Sequence, residues 1–296
     1  MMVRVIELLG GADDDAVAAW DDVLARGERF GREEYATPWM LPEMIERLRG
    51  PEHGVVYEPW ALLEDGVVRA SALLEYRTTD NLDRVDSRVM VDPDHRCRGL
   101  GSALLEAMVE RTRALGRTRL GADAWWPMEL GTDGVGAVGA DFLRARGFVL
   151  GSSEVLRVLP MPTPEDRLER LAAQAEEHHR DYRILAFVGP VPEEYAATWA
   201  SLVGSLEVEA PTGGIELESS DTGVEGLRAE EALMARQGRT PYRSVALDPA
   251  DFSVDSDATI TVTLPADMHS GLFSVTTWNG VNAVGTAYAQ TVFTVD

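Results

Sequence analysis

The stretch Val89-Met90-Val91-Asp92-Pro93-Asp94-His95-Arg96-Cys97-Arg98-Gly99-Leu100-Gly101 decides how the first half of this chain folds. A strand ends at Val91. A turn containing Pro93 follows, then the pattern R-x-x-G-x-G, then a helix from about Gly99. The helix signal is the i, i+3, i+4 spacing of Leu100, Ala103, Leu104, Ala107 and Met108. This order suits a pyrophosphate. The first N–H groups of a helix have no intrahelical partner, and the helix dipole favours negative charge there. Gly99 and Gly101 carry no side chain to hold a phosphate off the main chain, and Arg96 and Arg98 add positive charge. The plain alternative is a glycine-containing strand-to-helix turn with surface arginines.

Outward from this point the pattern alternates between helix and strand. Met2 to Leu9 reads as a strand, Asp14 to Arg26 as a helix with Val17, Trp20, Val23 and Leu24 on one face, and Pro42 to Leu48 as a short helix. Val55 to Glu64 and Val67 to Arg77 read as strands joined by an Asp65-Gly66 hairpin turn, with Asp86 to Val91 as the next strand. Arg119 to Trp125 is a strand, Val138 to Arg146 a helix stopped by Gly147, and Phe148 to Val158 a strand again. The order β-α-α-β-β-β-α-β-α-β predicts an α/β (α+β) fold, a mixed sheet with helices on both faces.

Composition narrows the function classes. The chain has 296 residues, 45% of them hydrophobic, enough to bury sizeable cores. Its formal charge is -23, so no nucleic acid is expected as a partner, because nucleic-acid binding rests on basic phosphate contacts. That charge suits an amine-bearing, cationic substrate. The longest uncharged region, Met268 to Val295, is full of Thr, Ser, Gly and Asn and does not read as a membrane span. Met1 to Leu9 has no clean apolar core of a signal peptide, and the single cysteine, Cys97, forms no internal disulfide. A cytoplasmic protein follows. No metal is expected: His178 and His179, adjacent on a predicted helix, project about 100° apart.

The run V-x-V-x-P-x-x-R-x-x-G-x-G-x-x-L, carried by Val89, Val91, Pro93, Arg96, Gly99, Gly101 and Leu104, resembles the acyl-CoA binding motif of the GNAT superfamily of N-acyltransferases. Ala140-Asp141-Phe142-Leu143-Arg144-Ala145-Arg146-Gly147-Phe148 resembles that family's A-x-x-F-Y-x-x-x-G-F segment. The resemblance implies acetyl-CoA as co-substrate, with Arg96, Cys97, Arg98, Gly99, Leu100, Gly101 and Ser102 around its pyrophosphate. Val89, Met90 and Val91 would lie along its pantetheine arm, where a backbone N–H polarises the thioester carbonyl. It also implies transfer of the acetyl group to a primary amine of a small molecule or protein, by direct attack in a ternary complex. Leu143 departs from the pattern: the family often has a Tyr there to protonate the leaving thiolate, and Leu cannot donate a proton. Tyr76 is a substitute donor to test. Glu75 and Asp86, at strand ends near the motif, are the candidate general bases; each also reads as a solvated strand-end carboxylate. Trp125 and Trp126 read as packing residues near the acceptor side, Cys97 as a variable motif position, and His95 as a solvated loop residue.

The wider chain resembles tandem GNAT proteins of high-GC bacteria. Residues 1–160 form the expected catalytic domain. Three prolines in Pro160 to Pro164 mark a linker. Residues 161–251 repeat the opening order strand, helix, helix, strand in outline, through Arg183 to Val188, Pro192 to Leu206, Gly223 to Gln237 and Tyr242 to Leu247. No second R-x-x-G-x-G follows, so this unit is expected to be a partial, non-catalytic GNAT-like one. Residues 252–296 form a β-rich tail, and Val254 to Asp296 contains eight Thr, three Ser and neither Lys nor Arg. They resemble half of an IPT/TIG immunoglobulin-like domain, with strands at Ala258 to Leu264, Leu272 to Trp278 and Tyr288 to Val295. Two alternatives stay open, a coenzyme A-binding module without turnover and a chimeric interaction protein. A homodimer is also left open.

Overall fold

The computed structural model describes residues 4–10, 13–32, 35–50, 53–156, 162–176, 178, 182–209, 213–220, 223–247 and 288–295. The chain runs through β1 (Arg4–Leu8), α1 (Asp14–Arg29), α2 (Leu41–Arg49), β2 (Val55–Glu64), β3 (Val67–Arg77) and β4 (Arg84–Val91). It continues with α3 (Leu100–Ala114), β5 (Arg119–Pro127), α4 (Val138–Arg144) and β6 (Val149–Leu156). The second half holds α5 (Glu165–Glu176), β7 (Arg183–Val188), α6 (Glu193–Glu209), α7 (Gly223–Arg236), β8 (Tyr242–Leu247) and β9 (Tyr288–Val295).

Local chemistry sets these elements. Asp13 caps α1 by accepting from the Ala16 N–H at 3.1 Å, Asp14 and Asp15 follow at its positive end, and Arg26 and Arg29 occupy its last turn. Asp65 and Gly66 both take positive φ, 51° and 79°, as a two-residue hairpin between β2 and β3 requires. The first sheet has the order β1-β2-β3-β4-β5-β9-β6. The pairs β1–β2, β2–β3 and β3–β4 are antiparallel and β4–β5 is parallel, giving the expected mixed sheet.

Strand alternation splits the core in two. Val17, Trp20 and Leu24 of α1 and Met44 of α2 pack with Ala61 on one face. Leu100, Leu104 and Met108 of α3, with Ala140 and Leu143 of α4, pack with Leu62, Ala72, Leu74 and Val85 on the other. Trp20 is fully buried, and its indole N–H donates to the carbonyls of Trp60 at 3.0 Å and Ala72 at 3.1 Å, tying α1 to the sheet. On the flank of α1 that meets 38–41, Asp21 lines an open cavity with Trp39, Met40 and Leu41.

In the second half β7 and β8 pair antiparallel as a separate two-stranded sheet, with α6 and α7 between them in sequence. This repeats the β1-α1-α2-β2 arrangement, whose strands also pair antiparallel. The strand expected at Tyr288 to Val295 is present, but its neighbours are not tail strands. It enters the first sheet between β5 and β6, antiparallel to both. The expected strands at Ala258 to Leu264 and Leu272 to Trp278 lie outside the described residues.

Two measurements check this packing. A Cβ on Gly101 would lie 3.2 Å from Val91 Cγ2 and 3.4 Å from the Phe142 ring, whereas one on Gly99 would meet nothing within 4 Å among the described residues. Gly101→Val should therefore lower unfolding stability by about 1–3 kcal/mol through overpacking. Gly99→Ala should cost only about 1 kcal/mol for its positive φ. The reverse ranking in urea unfolding contradicts this geometry. Burial raises the Asp21 carboxyl from 3.8 to about 6, partly offset by Arg29. Its contribution to stability is present below the unfolded value and lost as pH rises through about 6. Asp21→Asn should be more stable than the parent by about 2 kcal/mol at pH 8, and equal to it near pH 4. An equal difference at both values would show that the carboxyl is not buried as described.

Candidate active site

The β4–β5 ladder is short. It runs from Arg84↔Arg119 to Ser87↔Ala122 and stops. On its other side β4 stays paired with β3 as far as Ala70↔Val91, and β5 stays paired with β9 as far as Pro127↔Tyr288. Arg88–Val91 therefore separates from the second half of β5, and a wedge opens in the sheet. Both sides of the β4 end are in tight contact. A Cβ on Gly27 of α1 would come within 2.7 Å of Met90 Cβ, and Gly101 of α3 sits against Val91.

The loop after β4 is fixed by Asp92, which is 3% exposed. Its main-chain N–H donates to Arg69 O at 2.9 Å, and its carboxylate accepts from the Asp94 N–H at 3.2 Å. Arg26, Arg69 and His95 lie at 3.1, 3.6 and 3.1 Å from the same carboxylate. Burial pushes this carboxyl up, but the Asp94 N–H and the charges of Arg26 and His95 outweigh it and hold it below the usual carboxylate range. A short 3-10 turn at Pro93–His95 follows. Cys97 and Gly99 then take positive φ, 58° and 80°, and Gly99 is the N-cap of α3 without a side-chain capping bond. The first intrahelical N–H is that of Ala103, bonded to Gly99 O at 3.0 Å. The N–H groups of Leu100, Gly101 and Ser102 precede it and face away from the helix.

The two arginines of the motif each have partners within the fold. Arg96 lies over the Phe30 ring at 4.1 Å and reaches Gly27 O at 3.4 Å, so it packs on the end of α1. Arg98 pairs with the buried Glu64 of β2 at 3.1 Å. Ser102 Oγ accepts from Arg146, and Cys97 is exposed and free. Gly101 packs closely against Val91 and Phe142, with a Cβ there placed 3.2 and 3.4 Å from them. Leu143 is buried in the core at 4% exposure. Tyr76 lies on the α3 side of the sheet, where its hydroxyl donates to Glu58 at 3.0 Å beside Arg111. Burial and the Glu58 carboxylate push its hydroxyl above the ordinary tyrosine range.

Both candidate bases lie on the α1 face. Glu75 and Asp86 are opposite one another in the β3–β4 register. Asp86 accepts from Arg84 Nε at 2.9 and 3.0 Å and from Nη2 at 2.6 Å, and its Oδ1 lies over Gly121, where a Cβ would come within 2.2 Å. The same face carries a group that no sequence motif announces. At the point where β4 and β5 part, Arg88 meets Asp123 at 3.4 Å and Glu28 of α1 at 3.6 Å. Glu28 also meets Arg32 at 3.4 Å, and both guanidinium groups lie over Trp125, at 4.9 and 5.0 Å from the ring centre. Trp125 thus belongs to the wedge. Trp126 is a core residue, 1% exposed, whose indole N–H donates to Gly131 O at 2.8 Å. Among the described residues no group of His, Cys, Asp and Glu is arranged to hold a metal ion, and no helix is long and apolar enough to cross a membrane.

Residues 20–125 match the Acetyltransferase (GNAT) family. A tandem GNAT protein from the clavulanic acid biosynthesis pathway superposes with a TM-score of 0.59 at 21% identity, covering 85% of this chain and 72% of that one. An N-acetyltransferase from Staphylococcus aureus Mu50 gives a TM-score of 0.40 at 15% identity, over 54% of this chain and 92% of its own. YncA from Salmonella typhimurium, with its cofactor acetyl-CoA, gives 0.40 at 15% identity, over 54% and 88%. No curated protein matches the chain. The parted β4–β5 pair, the loop leading into α3 and the family match converge, and the chain carries an acetyltransferase domain of the GNAT family.

Proposed function

We propose that this domain moves an acetyl group from acetyl-CoA to a primary amine of a small molecule or protein, by direct attack within a ternary complex. One observation carries the reading: the unpaired edge of Arg88–Val91 runs directly into the loop that presents the first N–H groups of α3. A pantetheine arm has the amide groups to pair with such an edge. A diphosphate has the charge that the helix N-terminus favours, and the space around Gly99 is open.

The chemistry follows from that placement. The acceptor ammonium first loses a proton, to Glu75 or Asp86 on the α1 face or to water through them. The neutral nitrogen attacks the thioester carbonyl carbon, a C–N bond forms, and the carbonyl oxygen takes charge that a β4 backbone N–H stabilises. The C–S bond then breaks and the sulfur leaves with the electron pair. It accepts the second proton of the nitrogen, giving the amide and free thiol. With Leu143 in the core and Tyr76 donating to Glu58, this chain offers no tyrosine donor at either position. A thiol pKa of about 8.5 makes the thiolate a tolerable leaving group unaided. The reading without turnover, a coenzyme A-binding module, draws on that same Leu143. A cytoplasmic location agrees with the free Cys97.

Thermal shift with coenzyme A tests the donor site. Gly99→Glu should remove the stabilisation, by placing bulk and negative charge at the phosphates, while the variant stays folded. Retained binding refutes the placement. Thiol release from acetyl-CoA over an amine panel tests turnover. Glu75→Gln and Asp86→Asn should leave coenzyme A stabilisation intact, and the one that acts as base should lose on the order of 10²-fold or more in kcat. Unchanged kcat in both variants removes both from the mechanism.

A further inference from the structure

We infer that the acceptor is a zwitterion, an amine that carries a carboxylate near its nitrogen as an α-amino acid does, and that Arg88 is the residue that selects it. This deepens the acetyl-transfer reading and rests on it. Arg88 and Asp123 are the residues that follow the last β4–β5 pair, Ser87↔Ala122, so they stand at the vertex of the wedge, beside the expected thioester. Glu28 closes it from α1 and is 6% exposed, and Arg32, 7% exposed, backs Glu28. Both guanidinium groups lie over the Trp125 ring, which gives the patch an apolar surface.

The charges there balance: Glu28 and Asp123 against Arg32 and Arg88. Around this patch the protein as a whole is strongly acidic, at -23, so a site built only to attract a cation would have no use for two arginines. A plain ammonium meets those arginines, and a plain carboxylic acid meets Glu28 and Asp123. A zwitterion satisfies both signs, its ammonium toward the carboxylates and its carboxylate toward the guanidinium.

Arg88 also has unused bonding capacity. Its Nε is buried and has no hydrogen-bond partner among the described residues. Its contacts to Asp123 and Glu28, 3.4 and 3.6 Å, are well beyond the ~2.8 Å of a strong charge-assisted hydrogen bond. A guanidinium fork matches a planar carboxylate through two parallel N–H donors, and a buried unmet donor is the feature a ligand relieves.

The test is calorimetric binding to the coenzyme A-saturated protein, using the twenty common amino acids and, for each that binds, the amine it gives on decarboxylation. At least one amino acid should bind tenfold or more tightly than its amine. Arg88→Gln should collapse that ratio to near one while coenzyme A stabilisation is retained. Arg88→Lys keeps the charge without the fork and should give an intermediate ratio, which also serves if the Gln variant does not fold. Amines binding as well as their amino acids, a preference that survives in the Arg88 variants, or no binding by any amino acid each overturns the inference. Turnover of simple amines alone sinks this proposal and leaves acetyl transfer standing; absence of coenzyme A binding to the parent protein sinks the transfer reading itself.

Discussion

The end of β4 is held from both sides, and the functional architecture depends on that grip. Met90 is pressed against Gly27 of α1, where a Cβ would come within 2.7 Å, and Val91 sits close to Gly101 of α3, where a Cβ would lie at 3.2 Å. Below the chain, β3 remains bonded to β4 through Val91, and Asp92 then locks the turn with its N–H and its carboxylate, which Arg26, Arg69 and His95 approach. Strand β5 is meanwhile drawn toward β9, to which it stays paired through Pro127. The two parallel strands cannot both follow their other partners and remain together beyond Ser87. The wedge is the geometric result, and the turn at Gly99 leads from its β4 side into the start of α3.

The second half of the chain is attached to the first through polar contacts. Asn81, at φ 45°, exchanges hydrogen bonds with 218: its N–H donates to Glu218 Oε2 at 2.9 Å, its side-chain amide donates to Glu218 O at 3.1 Å, and its Oδ1 accepts from the Glu218 N–H at 2.9 Å. Arg119 meets Glu216 at 2.6 Å, and the Gly214 N–H donates to Gly151 O at 2.8 Å. On the other flank Gln237 donates to Glu43 O at 2.9 Å, and Arg236 meets Glu46 at 3.6 Å. The 213–220 segment therefore runs beside the ends of β3, β5 and β6. Strand β9, from the second half, also enters the first sheet beside β5, while the loop into α3 lies in the first half.

Much of the first sheet is legible because it is written in local chemistry. The Asp65-Gly66 turn, the period of α1 and α3, and the R-x-x-G-x-G turn each lie within a few consecutive residues. The position of Tyr288–Val295 is not legible in this way: its alternation announces a strand, but nothing local says that its partners are β5 and β6, far back in the chain. The same holds for Glu28, Arg88 and Asp123, which meet only after folding. The alternation of β4 could have placed Arg88 on the face shared by Asp86 and Met90, and that is the one signal available. Residue roles inside the motif were harder still. Gly101 answers to the packing of Val91 and Phe142, and Arg96 to Phe30, partners that no spacing within the motif reveals.

Hydrogen exchange at single-residue resolution tests the central claim most directly. On addition of saturating coenzyme A, the amides of Leu100, Gly101 and Ser102 and those of the open β4 edge should slow by tenfold or more, with little change at the far end of α3. Exchange at 100–102 that is the same with and without coenzyme A, under conditions where it binds, would show that the diphosphate is held elsewhere.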